Sequence, residues 1–552
     1  MVKNSFNFKI KYSVDGKKYV ANKNDNEHFK LSVCFSENSI KVYIEPKTAL
    51  KIDDFTAKYH YKFNNSSRIF VNGYQSWTDS LEYSPSEKMS ELSSLTEFLI
   101  TNPPLKNIGF SFSGDLPFWK FPRKNGIFYG WSYGYVRHGS HIDIFGSLSE
   151  RCGFTAITFD TKKNNIYVQK DLEGVTFEEK TLLLDFAVVS GDYDEAFDKY
   201  FDLMGVKCRE NKRRTGYTTW YNYYSSINND VVERDLKSIT EFDSNIDIFQ
   251  IDDGYQSAIG DWLITDEKKF PNGMKYVADK IHSNNMLAGL WLAPFAAVKS
   301  SKLYKEHPDW FIKKENGKSL CTGQNWGGFY SLDIYNEGAR EYLYKVFDVV
   351  LNEWGYDMVK LDFLYGACVL PLHNKTRGQV MCDAVELLRE CCGDKLILGC
   401  GVPLMPAFGK VDYCRIGADI ALEWEHKKHI HREDVSTPHA VCNTIFRRHL
   451  DGRAWKNDPD VFLLRDNNIK MNFEQRKLLA KINSTFGSLL FTSDNVGDYN
   501  VNQAEVLKET YKEKDIEIAR VGFIADKVMR VEFYENSKPV EITFNIENGE
   551  IQ

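Results

Sequence analysis

Residues 343–364 read LYKVFDVVLNEWGYDMVKLDFL, and this stretch decides the fold. Leu343, Val346, Phe347, Val350, Leu351 and Trp354 fall at i, i+3, i+4, i+7, i+8 and i+11, one apolar stripe along a helix. Gly355 follows the stripe, where a helix stop is expected. The chain then enters a short apolar run, 358–364, that reads as a buried strand. Seven further runs share this character: 216–220, 246–253, 286–294, 396–401, 412–417, 458–464 and 488–494. Strands separated mostly by helix-sized connections predict a central (β/α)8 TIM barrel. The connection 402–411 is too short for a regular helix, so that unit is expected to be irregular.

Outside this region the texture is β. Leu31, Val33 and Phe35 alternate with polar neighbours, as do Ile40, Val42 and Ile44 before Pro46. Asp15-Gly16 and Asn125-Gly126 lie between strand-like runs, where a tight hairpin needs residues tolerant of positive φ. Many short strands so punctuated suggest a sandwich. A basic, polar stretch at 207–214 reads as a linker or as the entry to the barrel. Period-two alternation returns after about residue 514, in Val540, Ile542, Phe544 and Ile546. The expected layout is a multidomain α/β chain: an N-terminal β-sandwich domain over 1–205, the barrel over 206–513 and a small C-terminal antiparallel β domain over 514–552.

The 552 residues are 43% hydrophobic and 27% charged, enough for a sizeable core. Lys and Arg total 70 against 77 Asp and Glu, a net charge of −7 that offers no general attraction to nucleic acid or anionic lipid. The longest apolar run, 290–298, is about half a membrane span. Residues 1–9 do not form the apolar core of a secretory signal. The 11 cysteines are scattered, without a C-x-x-C pair, and adjacent Cys391 and Cys392 would make a strained disulfide. Reduced thiols in a cytoplasmic protein are the expectation.

Functional groups of such barrels cluster at the C-terminal ends of the strands. Here those ends supply Trp220-Tyr221, Asp252-Asp253, Trp291, Asp362, Cys400, the turn from Arg415 to Asp419, Asp460 and Asp494. A single Asp in such a place is ordinarily a helix N-cap. Five carboxylate-bearing ends interleaved with tryptophans and an arginine point instead to a site. Lys360 and Asp362 stand two apart on one strand, so both face the barrel mouth, and a cation there favours an ionised carboxylate, as a nucleophile requires. Asp419 lies beside Arg415 beyond a later strand. Two opposed carboxyl groups are the minimal machinery for glycoside hydrolysis. Flat aromatic walls and many acceptors also suit a polyhydroxylated substrate.

Competing motifs are weak. Gly399-Cys400-Gly401 opens like a dinucleotide fingerprint, but position 404 is Leu. Gly109-Phe110-Ser111-Phe112-Ser113 lacks the final Gly of a nucleophile elbow. His426, His429 and His431 lie in a Lys-rich stretch that reads as a solvated loop rather than a metal site. Asp252-Asp253 lacks the surrounding oxygen-ligand loop of a cation site.

The ordered motifs Trp220-Tyr221, Gln250-Ile251-Asp252-Asp253-Gly254-Tyr255, Gly289-Leu290-Trp291-Leu292-Ala293-Pro294, Lys360-Leu361-Asp362-Phe363, Gly399-Cys400-Gly401 and Arg415-Ile416-Gly417-Ala418-Asp419 resemble the α-galactosidases of glycoside hydrolase family 36. Gly73-Tyr74-Gln75-Ser76-Trp77 is similar to that family's aromatic loop over the barrel. The resemblance implies hydrolysis of terminal non-reducing α-D-galactosyl residues, as in melibiose or raffinose-type oligosaccharides or galactosylated glycans, by a retaining double displacement without metal or organic cofactor. It implies Asp362 as nucleophile and Asp419 as acid/base. Asp252 and Asp253 would take hydroxyls on the O4 and O6 side, and Lys360 would hold ring hydroxyls while keeping Asp362 charged. Arg415 and Cys400 would lie near O2 and O3, with Trp77, Trp220, Tyr221 and Trp291 as walls.

This chain departs from the pattern at Ala418, where many relatives carry Pro, and it is shorter than the larger members. Another α-linked sugar, such as an α-N-acetylgalactosaminide, and a non-catalytic sugar-binding role are the alternatives. Retention of both Asp362 and Asp419 speaks against the second. The expected partner is a small oligosaccharide or glycan rather than nucleic acid or membrane, with homo-oligomerisation left open.

Overall fold

The computed structural model describes residues 6–89, 94–120, 123–242, 246–425 and 432–552. Two seven-stranded antiparallel sheets make up the N-terminal part. One carries Phe6–Val14, Leu50–His60 and Asn165–Lys170; the other carries Ser39–Pro46, Thr181–Asp192 and His141–Ser147. Their inner faces meet through Ile10, Phe55 and Ile166 on one side and Ile40, Val42 and Phe186 on the other, all buried. Alternation makes this possible, because every second side chain of a strand faces the same way. Asp15 and Gly16 both take positive φ, 47° and 77°, and Val14 pairs with Lys17 across them, the two-residue hairpin expected from sequence.

The barrel strands are β1 (Arg214–Thr218), β2 (Ile248–Ile251), β3 (Leu287–Leu292), β4 (Met358–Leu361), β5 (Leu396–Gly399), β6 (Tyr413–Arg415), β7 (Lys456–Asp458) and β8 (Leu489–Thr492). They run parallel in the order β7-β6-β5-β4-β3-β2-β1-β8. The Ser488 amide donating to Asn457 O at 2.9 Å joins β8 to β7 and closes the ring. Between β3 and β4 the apolar stripe forms the helix Glu337–Asp348, which widens into a π-turn over Val349–Glu353 before Gly355 ends it at φ 83°. Between β5 and β6 there is only a 3₁₀ turn, Met405–Ala407.

The seventh strand differs from the expected 458–464. Asp458 is its last residue, Pro459 has no N–H for a ladder, and Asp460 turns the chain at φ 77°. Val461, Phe462, Leu463 and Leu464 are nonetheless buried, so their apolarity marks packing above the barrel rather than a strand. A small antiparallel sheet of Ala296–Val298, Cys321–Gly323 and Phe329–Ser331 follows β3 and was not anticipated. The C-terminal residues form the three-stranded antiparallel sheet Ile516–Ala525, Val528–Glu535 and Lys538–Asn545. All 11 cysteines are free thiols. No helix among the described residues is long and apolar enough to cross a membrane.

One buried arginine joins sandwich to barrel. Arg447 Nη1 donates to Ser76 O at 2.6 Å and Ile416 O at 2.8 Å, Nη2 to Gln75 O at 3.2 Å and Thr78 O at 2.9 Å, and Nε to Asn72 Oδ1 at 3.2 Å. Burial among these neutral acceptors pushes its guanidinium down to about 10. Arg447→Met removes a donor from four carbonyls, of which Gln75 O and Thr78 O keep a second, from the Thr78 amide and Asn443 Nδ2. Leaving a buried acceptor unmade costs roughly 1–3 kcal/mol before relaxation. We expect a net loss of about 3 kcal/mol, read as a lower urea midpoint with unchanged slope; an unchanged midpoint would contradict this role.

Candidate active site

Strand β2 stops at Ile251, which frees the next two residues from alternation. Gly254 then turns the chain at φ 126°, where a Cβ would come within 2.8 Å of Ser225 O. Asp252 and Asp253 can therefore both serve one site. Asp252 Oδ2 accepts from Lys360 Nζ at 2.9 Å and Gln250 Nε2 at 2.8 Å. Asp253 Oδ1 accepts from Gln256 Nε2 at 2.6 Å, and its Oδ2 from Trp326 Nε1 at 3.0 Å. Burial pushes the Asp253 carboxyl up.

Asp362 follows β4. Its Oδ2 accepts from Trp291 Nε1 at 3.1 Å and its Oδ1 from the Phe363 amide at 2.8 Å. Burial pushes this carboxyl above the ordinary range; Lys360 and the Cys400 thiol pull it down, and Asp419 pushes it up. The expectation that Lys360 holds Asp362 charged is thereby modified. The Lys360 ammonium bonds Asp252, acts on Asp362 only through space, and is outweighed there by burial. Asp419, one-third exposed, accepts from Arg415 Nη1 at 2.7 Å.

Trp77 reaches this place from the sandwich of its own chain. The Ser76 amide donates to Val402 O at 3.0 Å, and the Trp77 indole donates to Cys400 Sγ at 3.4 Å. Its ring meets Phe363 edge-on with centroids 5.3 Å apart. Gly401 makes room, since a Cβ there would lie 2.8 Å from the Trp77 ring.

These groups enclose a cavity of about 220 Å³ lined by Trp77, Trp220, Asp252, Asp253, Trp291, Lys360, Asp362 and Asp419. That is smaller than the roughly 300–1,000 Å³ of pockets for drug-sized ligands, a scale suited to one sugar ring. Tyr221, Cys400 and Arg415 stand behind this wall rather than on it. Cys400 is buried under Trp77, the Tyr221 hydroxyl donates to Asp460, and Arg415 lies among Asp419, Asp458 and Asp460. Three larger clefts, about 490, 730 and 1,020 Å³, contain no tryptophan and none of the strand-end aspartates among their described lining residues. His426, His429 and His431 lie outside the described residues.

The sequence reading missed Ser113, Gln324, Asn325, Trp326, Phe363 and the Glu433-Asp434-Val435 segment, all on the cavity wall. Trp326 had a signal, the Gly327-Gly328 pair behind it. All three residues take positive φ, 56°, 78° and 109°, and this turn carries the indole to Asp253.

Residues 194–369 match the Melibiase family model. Among curated proteins, α-galactosidase Mel36A of Lactobacillus acidophilus is 29% identical over 167 residues, 29% of this chain and 22% of the relative. An α-galactosidase of Escherichia coli is 33% identical over 151 residues, 26% and 20% of the two chains. The A type blood α-D-galactosamine galactosaminidase of Flavonifractor plautii is 32% identical over 134 residues, 22% and 12%. The matched stretches thus span about a fifth or less of these relatives' length. Among solved structures, TtGalA, an α-galactosidase from Thermus thermophilus in complex with p-nitrophenyl α-D-galactopyranoside, superposes with a TM-score of 0.72 at 22% identity, covering 97% of this chain and 98% of that one. The α-galactosidase AgaA of Geobacillus stearothermophilus gives 0.63 at 11% identity, covering 97% and 81%. The fold is the one these enzymes share.

Proposed function

We propose, from the premise that residues 194–369 belong to the Melibiase family, that this protein is a retaining α-galactosidase. The observation that carries the proposal is the convergence of Asp362 and Asp419 on one small cavity floored by Asp252 and Asp253 and walled by tryptophan. In the first step the Asp362 carboxylate attacks the anomeric carbon, the glycosidic C–O bond breaks, and Asp419 gives its proton to the departing oxygen. In the second, Asp419 takes a proton from water, the water oxygen attacks the same carbon, and Asp362 leaves.

The exposure of Asp419, greater than that of Asp362, suits the group that must meet both aglycone and water. Asp252, Asp253 and Lys360 bind ring hydroxyls, while Trp77, Trp220 and Trp291 cover C–H faces. Arg415, Cys400 and Tyr221 act from behind by holding the lining groups. The substrate class is oligosaccharides ending in α-galactose. α-Galactosidases of similar fold have been solved with stachyose and with raffinose.

Proton NMR during hydrolysis of 4-nitrophenyl α-D-galactopyranoside tests this. α-Galactose should appear first and then mutarotate. Initial β-galactose would refute the covalent role of Asp362. Absence of hydrolysis would refute the galactosidase reading, and the α-N-acetylgalactosaminide would be tried next, given the galactosaminidase among the relatives.

A further inference from the structure

Asp460 lies two residues past β7, fully buried, at φ 77°. A non-glycine residue in this conformation costs about 1–3 kcal/mol and persists only where its surroundings fix it. They do so on both sides: the Asp460 amide donates to Asp458 Oδ1 at 2.9 Å, and its carbonyl accepts from Asn483 Nδ2 at 3.0 Å. The side chain so aimed reaches the back of the Asp419 turn. Asp460 Oδ1 lies 2.8 Å from Arg415 Nη2, whose Nη1 donates to Asp419 Oδ1 at 2.7 Å. Asp460 Oδ2 accepts from the Ile420 amide at 2.9 Å and from the Tyr221 hydroxyl.

One buried carboxylate thus grips the cation that holds the Asp419 carboxyl and also the amide next to Asp419 in the chain. We propose that Asp460 is the positioning residue for Asp419, fixing its carboxyl through Arg415 and its backbone through Ile420. The proposal rests on Asp419 being the acid/base of the reaction above. A second consequence is electrostatic. Arg415 faces three carboxylates, Asp419, Asp458 and Asp460, so its positive charge is divided among them. Burial, with Asp419 and Asp458 close by, pushes the Asp460 carboxyl up to about 7 against the pull of Arg415. Asp419 also faces Asp362 and Cys400 from the neighbouring strand ends, and Tyr221 and Tyr224 beyond β1.

Asp460→Asn keeps the size and one carbonyl acceptor but removes the charge. Arg415 then loses the ion pair that aims it at Asp419, and the Ile420 amide loses a charged acceptor. Turnover of melibiose, whose leaving sugar needs a proton, should fall about 10–100-fold, and that of the 4-nitrophenyl galactoside much less. KM should barely move. Tyr221→Phe, which removes one donor to Asp460, should give the same selective loss on melibiose but less, and serves if Asp460→Asn does not fold. Equal losses on both substrates would overturn the proposal and leave Asp460 merely structural. If the wild-type enzyme hydrolyses no α-galactoside, the catalytic reading fails separately. The carbon-13 resonance of the Asp419 carboxyl, identified by its loss in Asp419→Asn, then decides the positioning: a shifted or broadened signal in Asp460→Asn upholds it, an unchanged one refutes it.

Discussion

Asp362→Ala should lower kcat on 4-nitrophenyl α-D-galactopyranoside by at least roughly 10³-fold, about 4 kcal/mol of transition-state stabilisation, while sugar binding stays measurable. The asymmetry follows from the site. Asp252, Asp253 and Trp291 keep their own partners when Asp362 is gone, apart from the one indole bond to it at 3.1 Å. The variant loses the attacking oxygen and gains a space that a small anion can fill. Added azide should therefore restore cleavage in part. Attack from the vacated face on an α-galactoside yields the β-galactosyl azide. In Asp419→Ala, azide should instead intercept the glycosyl–enzyme intermediate and give the α-galactosyl azide. The anomer of the azide assigns each carboxylate. A folded Asp362→Ala enzyme with wild-type turnover, or one giving the α-azide, would end the assignment.

How much of this was legible in the sequence depends on how far each residue's partners lie along the chain. The helix stripe ending at Trp354 and the strand carrying Lys360 rest on local periodicity, and both appear in the structure, although the strand expected over 358–364 ends at Leu361 and Asp362 follows it. Period two also puts Lys360 and Asp362 on one face. It could not say that Lys360 bonds Asp252, 108 residues away, because a partner on another strand is set by barrel register. Asp460 was visible as a carboxylate at a strand end, yet its left-handed φ and its grip on Arg415 are tertiary facts. The 458–464 run misled because apolar residues buried above a barrel look like those within it. Trp326 was missed because it sits in the turn between two strands of an inserted sheet, and only the folded turn brings its indole to Asp253.

Lys360→Met should be nearly as damaging to activity and far more damaging to stability. The Lys360–Asp252 pair is buried, with side chains 7% and 3% exposed. Burial opposes the ammonium charge most strongly, but Asp252, with Cys400 and Asp362 behind it, holds the lysine above its ordinary value. Removing one member of such a pair leaves an uncompensated buried charge, at a cost of about 3–5 kcal/mol. Gln250 still donates to Asp252, which limits the loss toward the lower end. Adding Asp252→Asn removes the stranded charge, so Lys360→Met/Asp252→Asn should recover most of the stability, a coupling that a double-mutant cycle reads directly. Activity should not return with it. The double variant lacks the through-space pull of Lys360 on Asp362, and burial and Asp419 then push that carboxyl higher still. Any residual hydrolysis should show its acid limb at higher pH than in the wild type, because the nucleophile must ionise before it attacks. Recovery of stability without activity separates the counter-ion duty of Lys360 toward Asp252 from its duties to the substrate, hydroxyl binding and the charge on Asp362, and the acid limb reports the last. Recovery of both would leave it only the first.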